Sequence, residues 1–342
     1  MDLLTQSMLG AAVTRTLAPK LSARFSYPAG ALAGILPDLD YIIYPAFPHA
    51  IDRFDLHRSF SHSLVLAPLL AVVLAGLLLL ANRKLHVKSA RPEPLLPYWR
   101  WYLITLTVLV THILLDLCTS YHTQIFWPLS RQPYALSAVF VIDLFYTIPL
   151  GCALYFCYDD SRNQRQRPFT WLHKTLLATS AYLLLAICVK LWSYDALKTT
   201  VMEQPPIAGS LQGLDAINTP TNILYWRWLY ATDHGIATAI VPIWGFHAQV
   251  HWHLHLSPEN VQDARQQLTD HKEFIRLQQL SNGLYFLDRV GMRWRYSDIR
   301  FGAPELGYPY LFAFEIGTEQ TDRPFHSLQR FVWWEPAQSD TQ

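Results

Sequence analysis

The stretch His57–Ala81 reads HRSFSHSLVLAPLLAVVLAGLLLLA and joins a segment rich in histidine and serine directly to a long apolar run. The apolar part, Leu64–Ala81, carries no charged residue. Since about 20 apolar residues cross a bilayer as a helix, this part predicts a transmembrane span. The polar part then lies at the mouth of that span, where ionisable side chains are a functional-site hypothesis by default.

Three further runs are apolar enough to cross a bilayer: Trp101–Cys118, Ala135–Tyr158 and Leu172–Trp192. The whole chain is 51% apolar and only 15% charged, against roughly 25% charged residues in soluble domains. Leu3–Leu17 and Pro28–Tyr44 are weakly apolar and predict an N-terminal helical hairpin, which either dips into the membrane or packs on its outer surface. We therefore expect a bundle of about four transmembrane helices plus this hairpin.

Basic residues in the loops predict the orientation of the bundle. Loops 82–100 and 159–174 are rich in Lys and Arg, whereas loop 119–134 carries only Arg131. Because basic loops stay on the cytoplasmic side, loop 119–134 is predicted to be extracytoplasmic. Balanced totals of 27 basic and 26 acidic residues argue against a nucleic-acid partner.

The remainder of the chain predicts a different kind of domain. Alternating apolar and polar residues predict antiparallel strands, with one polar helix around Pro258–Leu280. The predicted strands are Gly235–Trp244, Ala248–Leu256, Gly283–Val290, Arg293–Phe301, Tyr310–Ile316 and Gln329–Trp334. We therefore expect a membrane helical domain at 1–195 and an extracytoplasmic, β-rich α+β domain at 196–342.

Acidic and imidazole side chains recur at the predicted outer ends of the spans. His112 and Asp116 are four residues apart on a helix and share one face, so both can reach one metal ion or simply bond two helices together. The other candidates are Asp38, Asp40, His57, His62 and Asp143. This ligand set suits Zn²⁺, with Mn²⁺ as the alternative.

Two candidates have specific alternatives. Arg58 is suited to bidentate recognition of a phosphate, and it can equally pair with Asp38 or Asp40. Asp143 is a lone carboxylate in an apolar run, which a metal or a histidine partner would stabilise. The alternating histidines His251, His253 and His255 are a weaker metal candidate, because three side chains along one strand converge poorly on a single ion.

Together these motifs resemble the YdjM-like, LexA-regulated, membrane-bound metal-dependent hydrolases. The resemblance runs through MDLLT at the N-terminus, GALAGILPDLD at 30–40, HRSFSHS at 57–63, HILLD at 112–116, FWPLS at 126–130 and PTNILYWR at 220–227. It implies a metal-dependent hydrolase in the bacterial inner membrane. The family usually has a His after the N-terminal Thr, where this chain has Gln6, which implies one ligand fewer or a weaker oxygen ligand.

The sequence thus predicts a metal-dependent hydrolase at the outer membrane face, acting on a lipid-derived ester or phosphodiester. Asp38, Asp40, His57, His62, His112, Asp116 and Asp143 would hold one or two ions, with Asp40 as general base and Arg58 placed for a phosphate. Membrane lipid is the expected partner. A metal or proton transporter is the first alternative, since intramembrane Asp and His also build ion pathways. A non-catalytic membrane anchor is the second.

Overall fold

The first part of the chain is helical in the computed structural model, which describes residues 1–46, 50–88, 94–162, 168–220, 222–290, 293–304, 310–316 and 325–326. Its α-helices are α1 Leu3–Leu17, α2 Ala23–Ile35, α3 Ala50–Leu56, α4 Ala67–Lys88, α5 Tyr98–Leu117, α6 Leu144–Arg162 and α7 Pro168–Glu203. Two 3₁₀ helices, Pro37–Ala46 and Phe60–His62, flank α3.

Helices α1 and α2 form the predicted N-terminal hairpin and pack backbone against backbone. A Cβ atom added at Gly10, Gly30 or Gly34 would overlap backbone atoms of the opposite helix. Small residues that permit such close approach are typical of helix pairs in membranes. The second arm begins at Ala23, not at Pro28 as predicted, and it ends at Ile35 just before Pro37.

Three helices are long and apolar enough to cross a membrane: Ala67–Val87, Tyr98–Leu117 and Thr170–Glu203. They include most of three of the four predicted spans. The remaining prediction, Ala135–Tyr158, was wrong at its start, because α6 begins only at Leu144 and its apolar part, Leu144–Tyr158, is shorter than the others. The total of four transmembrane helices stays a prediction.

The backbone before α6 explains why that helix begins late. The N–H groups of Leu136 and Ala138 donate to the carbonyl oxygens of Leu117 and Cys118, which ties this segment to the end of α5. Ser137 adopts a left-handed conformation with φ of 53°. These contacts replace the first turns of the predicted helix.

Apolar side chains from α1, α2, α4, α5, α6 and α7 share one core. Trp101 of α5 is fully buried in it, and its ring meets Phe25 of α2 edge-on with the ring centroids 5.9 Å apart. Leu150 of α6 and Leu172 of α7 are also fully buried there. The bundle therefore holds α5, which carries two of the candidate site residues, on several sides.

The second part of the chain is β-rich, as predicted. One sheet has the strand order β1 Leu211–Asn218, β2 Tyr225–Thr232, β3 Gly235–Pro242 and β4 His253–Leu256. The other contains β5 Tyr285–Val290, β6 Arg293–Asp298, β7 Ala313–Ile316 and β8 Phe325–His326 in sequential antiparallel order. Between the sheets in sequence lie α8 Val261–Leu268 and α9 Lys272–Ser281.

The sequence patterns missed three strands, β1, β2 and β8, and merged two helices. Strand β2 is buried along almost its whole length, so it lacks the alternation of a half-exposed strand. The single predicted helix at Pro258–Leu280 is in fact α8 and α9, since α8 ends before Thr269. The predicted strand Gln329–Trp334 lies outside the described residues.

The chain divides into two compact units. The first comprises Met1–Ala46, Asp55–Leu191 and Asn218–Leu224. The second comprises Phe47–Phe54, Trp192–Ile217 and Tyr225–Gln342. All the candidate site residues of the sequence analysis, from Asp38 to Asp143, belong to the first unit.

The close packing of α1 on α2 makes a testable prediction. Gly30→Ala should lower the free energy of unfolding by about 1–3 kcal/mol, because its new methyl group overlaps α1. Gly76→Ala on α4 is the matched control, since no atom lies within 4 Å of its added Cβ. Denaturant unfolding in detergent measures the free energy of unfolding of both variants. A Gly30→Ala protein as stable as the Gly76→Ala protein would contradict this packing.

Candidate metal centre

Four of the predicted site residues meet where α5 ends. His112 and Asp116 lie in the last two turns of α5 and project from the same face. His62 closes the 3₁₀ helix Phe60–His62, and Asp38 lies in the first turn of the 3₁₀ helix Pro37–Ala46. All four side chains are buried, and one ligand atom from each lies within 4.8 Å of the other three.

Five of the six distances between these ligand atoms are close to the edge length of a tetrahedral metal site. His62 Nε2 lies 3.1 Å from His112 Nε2, 3.3 Å from Asp38 Oδ1 and 3.0 Å from Asp116 Oδ2. His112 Nε2 lies 3.8 Å from Asp38 Oδ1 and 3.5 Å from Asp116 Oδ2. Ligands 2.0–2.1 Å from a tetrahedral Zn²⁺ are about 3.3 Å apart, so the cluster has the size of a metal site.

Hydrogen bonds assign the proton of each imidazole to the nitrogen that faces away from the cluster. His112 Nδ1 lies 2.6 Å from the carbonyl oxygen of Gly34, which can only accept, so this nitrogen carries the proton. Ser61 Oγ donates to Asp40 at 3.0 Å, so it accepts from His62 Nδ1 at 2.9 Å. In the neutral rings both Nε2 lone pairs therefore point into the cluster, as in metal-ligating histidines.

The buried charges give a second indication of a cation. Two imidazole Nε2 atoms that lie 3.1 Å apart, with two carboxylates around them, require a proton or a cation between them. Burial lowers the pKa of His62, but the hydrogen bonds and charges of Asp116 and Asp38 outweigh it and raise the pKa, so the pocket favours positive charge. Asp38 Oδ2 and Gln6 Oε1 are buried oxygens without a hydrogen-bond partner among the described residues. Since unpaired buried polar groups are destabilising, these residues fit a bound divalent ion well.

A second layer of side chains surrounds the four. Asp40 accepts hydrogen bonds from His57 Nδ1 at 3.0 Å, from the N–H of Arg58 at 3.2 Å and from Ser61 Oγ at 3.0 Å. Burial raises the pKa of Asp40, but the hydrogen bond and charge of His57 and the charge of His62 outweigh it, so the pKa lies below its ordinary value. Asp40 is therefore an ionised carboxylate that positions two histidines.

Arg58 adds a fixed positive charge beside the cluster. Its Nε lies 3.1 Å from Asp116 Oδ2, and Nη1 donates to Thr119 Oγ1 at 3.0 Å and to the carbonyl oxygen of Tyr121 at 3.3 Å. Of the two alternatives for the guanidinium, an ion pair is found, but with Asp116 and not with Asp38 or Asp40; the backbone N–H of Arg58 reaches Asp40. Arg58 itself has a left-handed backbone with φ of 59°, which turns the chain between α3 and His62.

Asp143 belongs to a separate hydrogen-bonded pair. Its Oδ2 accepts from the Tyr182 hydroxyl at 2.7 Å, and its Oδ1 accepts from the N–H of Tyr146 at 3.1 Å, which caps α6. The predicted span Ala135–Tyr158 would place Asp143 inside a transmembrane helix, which was wrong, since Asp143 precedes α6. It is not one of the four clustered residues, and its role as a metal ligand stays a prediction.

Gln6 lies against the cluster, at the position where the sequence departs from the family pattern. Its Nε2 donates to Asp116 Oδ1 at 2.9 Å and to the carbonyl oxygen of His112 at 3.3 Å. The amino group of Met1 also contacts Asp116 Oδ1. The resemblance to the family pointed to this residue, because the family usually has a His at this position, whereas the positioning roles of Ser61 and Thr119 had no distinctive signal.

The weaker candidates are placed elsewhere. His253 and His255 lie on β4, whose side chains are mostly exposed, and His251 is exposed just before it. Within the described part of the chain, Asp38, His62, His112 and Asp116 are the one group of His, Cys, Asp or Glu side chains that could hold a metal ion.

A helical protein with three candidate membrane spans and a buried Asp/His cluster at the end of one of them is the class that this fold and site define. The YdjM inner membrane protein family matches residues 1–193, more than half of the chain, and the chain belongs to that family. No curated protein and no solved structure gives a significant match. The matched region contains every residue of the cluster and of its second layer.

The geometry predicts which substitutions remove the metal. Protein purified in detergent should bind one equivalent of Zn²⁺ or Mn²⁺, and His62→Ala or His112→Ala should abolish stoichiometric binding because each removes one of four ligands. Asp143→Asn is the matched control and should keep its metal. Elemental analysis by mass spectrometry measures all four proteins, and a full equivalent in both histidine variants would exclude this site.

Removal of the second layer should have a smaller effect. Ser61→Ala leaves His62 Nδ1 without its acceptor, so the ring loses its fixed orientation. Such outer partners typically change metal affinity by about 10–100-fold. Competition with a chelator of known affinity measures the change, and Ser59→Ala serves as control, since Ser59 Oγ donates to the carbonyl oxygen of Leu56. An unchanged affinity in Ser61→Ala would contradict the assigned tautomer.

Proposed function

We propose that the protein is a membrane-bound, metal-dependent hydrolase. The observation that carries the proposal is the convergence of two imidazole lone pairs and two carboxylates with tetrahedral spacing in a buried site. Two nitrogen and two oxygen ligands suit Zn²⁺ best, with Mn²⁺ as the alternative. A single cluster of four ligand residues favours one bound ion over two.

A divalent ion held here would activate a water bound in addition to the four side chains, and would polarise the bond to be cleaved. The chain would supply the proton acceptor. We assign this role to His57, whose side chain is 25% exposed while that of Asp40 is fully buried. Asp40 accepts from His57 Nδ1, so neutral His57 carries its lone pair on Nε2 and can take up a proton there.

This assignment changes the role that the sequence suggested for Asp40. A carboxylate that already accepts three hydrogen bonds is a poor proton acceptor, because protonation would break at least one of them. We therefore assign Asp40 as a positioning residue for His57 and, through Ser61, for His62. The arrangement resembles other sites in which a carboxylate fixes the tautomer of a histidine.

Arg58 is also proposed as a positioning residue. Its guanidinium already contacts Asp116, Thr119 and the carbonyl oxygen of Tyr121, and its carbon centre lies 4.9 Å from the centroid of the Tyr121 ring. A guanidinium held in this way offsets the negative charge of Asp116. Direct binding of a substrate phosphate by Arg58 would require some of these contacts to open.

A lipid-derived ester or phosphodiester is the proposed substrate class. The cluster lies at the end of α5, a candidate span, so it would sit close to lipid headgroups. We propose that this end of α5 and the C-terminal domain lie on the extracytoplasmic side, which the loop charges support. A lipid substrate could then reach His57 without leaving the membrane–water interface.

The transport alternative receives less support from the same helices. An ion pathway needs ionisable or polar groups along the membrane. Residues 64–81 contain no charged side chain, and Asp116 is the one acidic residue in 98–117. Buried Thr105 of α5 is engaged with the carbonyl oxygens of Ala71 and Trp101. The polar groups are thus concentrated at one end.

The proton-acceptor assignment is tested by separating chemistry from metal binding. His57→Gln should keep the metal but lower the rate of hydrolysis of phospholipid or phosphodiester probes by about 10²–10⁴-fold, the usual contribution of a general base. His86→Gln on α4 is the matched control and should leave the rate unchanged. Wild-type protein that binds metal but hydrolyses no lipid or phosphodiester probe would contradict the hydrolase proposal and favour transport.

A further inference from the structure

Helix α7 is longer than a membrane requires, and its exposed tryptophans are spaced by one bilayer. The candidate span Thr170–Glu203 would extend about 51 Å at 1.5 Å per residue, whereas the hydrocarbon core is about 30 Å thick. Trp171 and Trp192 are both exposed and lie about 32 Å apart along the helix. Because Trp favours the lipid–water interface, these two residues mark the levels at which α7 enters and leaves the bilayer.

The charges of α7 agree with these levels. Lys174 and Lys190 lie just inside the two tryptophans, and no charged residue occurs between them. Lys174 is exposed, and a lysine side chain near the end of a span can reach the interface, whereas the side chain of Lys190 is buried within the protein. The part of α7 after Trp192 therefore emerges from the membrane and continues into the second compact unit.

The segment that follows β3 packs on α7 at the level of Trp192. The Trp192 ring meets Phe246 edge-on with the centroids 5.0 Å apart, and it lies 6.2 Å from the ring of His247. Phe246 is buried, so this contact is a fixed part of the second unit. The short 3₁₀ helix Ile243–Gly245 just before it is thereby held close to the interface level.

Two exposed aromatic side chains project from this 3₁₀ helix and from the adjacent end of β2. Trp244 is 69% exposed, and its ring lies edge-on to Tyr225, 40% exposed, with the centroids 5.5 Å apart. The register of β2 on β3 pairs Tyr225 with Pro242, so both rings lie at the same end of the sheet. Trp and Tyr combine an apolar body with a polar tip and are enriched at the headgroup level of membranes.

We infer that Trp244 and Tyr225 insert into the lipid–water interface beside Trp192 and dock the β-rich unit on the bilayer surface. The occupant of this aromatic pair is the headgroup and upper acyl region of the membrane in which α7 is embedded. The inference is independent of the metal site and of the proposed hydrolysis. It gives the unit a second attachment to the membrane besides α7 itself.

Site-specific photocrosslinking in the full-length protein tests the inference. Benzoylphenylalanine replaces Trp244, or Tyr225, and the protein is irradiated in phospholipid nanodiscs. Leu185, exposed on α7 inside the span, is the lipid-facing reference, and Ile275, exposed on α9, is the control. Each replacement changes an exposed apolar side chain, so the fold should be retained.

Mass spectrometry of the irradiated protein should find phospholipid adducts at 244 and 225 in yields similar to those at 185. These yields should exceed the yield at 275 by about tenfold or more, as expected for a residue at the interface. Three results would overturn the inference. The first is the absence of a lipid adduct at 244, and the second is an equal lipid yield at 244 and 275. The third is crosslinking of position 244 to a second copy of the chain instead of lipid.

Discussion

The burial of two carboxylates and two imidazoles around one point is the constraint on which the helical unit depends. Asp38, His62, His112 and Asp116 come from three different elements, and each would be destabilising alone in an apolar bundle. A divalent ion would offset these negative charges and use both imidazole lone pairs. The same ion would tie the 3₁₀ helices to α5, so metal binding and folding of this region are expected to be coupled.

Other parts of the unit position these four side chains. The close packing of α1 on α2 carries the carbonyl oxygen of Gly34 to His112 and the amide of Gln6 to Asp116. The left-handed backbone of Arg58 sends its N–H to Asp40 and its guanidinium to Asp116. Backbone strain at a non-glycine residue persists where the surroundings fix it, and such positions concentrate at functional sites.

The sequence predicted much of this arrangement because ionisable residues, whose burial costs free energy, are conspicuous in apolar surroundings. His112 and Asp116 were linked by helical spacing, and His62 and Asp38 by their places next to apolar runs. Asp143 shows the limit of that reasoning: it is equally conspicuous, yet it caps α6 and pairs with Tyr182. Which buried carboxylates meet depends on helix packing, and periodicity within one segment carries no information about it.

The same limit explains the errors at β2 and α6. Strand β2 was not predicted because it is buried on both faces. The predicted start of α6 was too early because Ala135–Asp143 is apolar without being helical. Conversely, Tyr225 and Trp244 are unremarkable in the sequence and become informative only through their exposure and their proximity to Trp192. Contacts between distant segments supply what local patterns lack.

X-ray absorption spectroscopy at the metal edge of the purified protein tests the central claim most directly. The account predicts two imidazole nitrogens and two carboxylate oxygens at about 2.0–2.2 Å from a single ion. It also predicts the loss of one imidazole signal in His112→Ala if that variant still retains metal. A spectrum with sulfur ligands or without imidazole, or a protein that binds no metal, would contradict it.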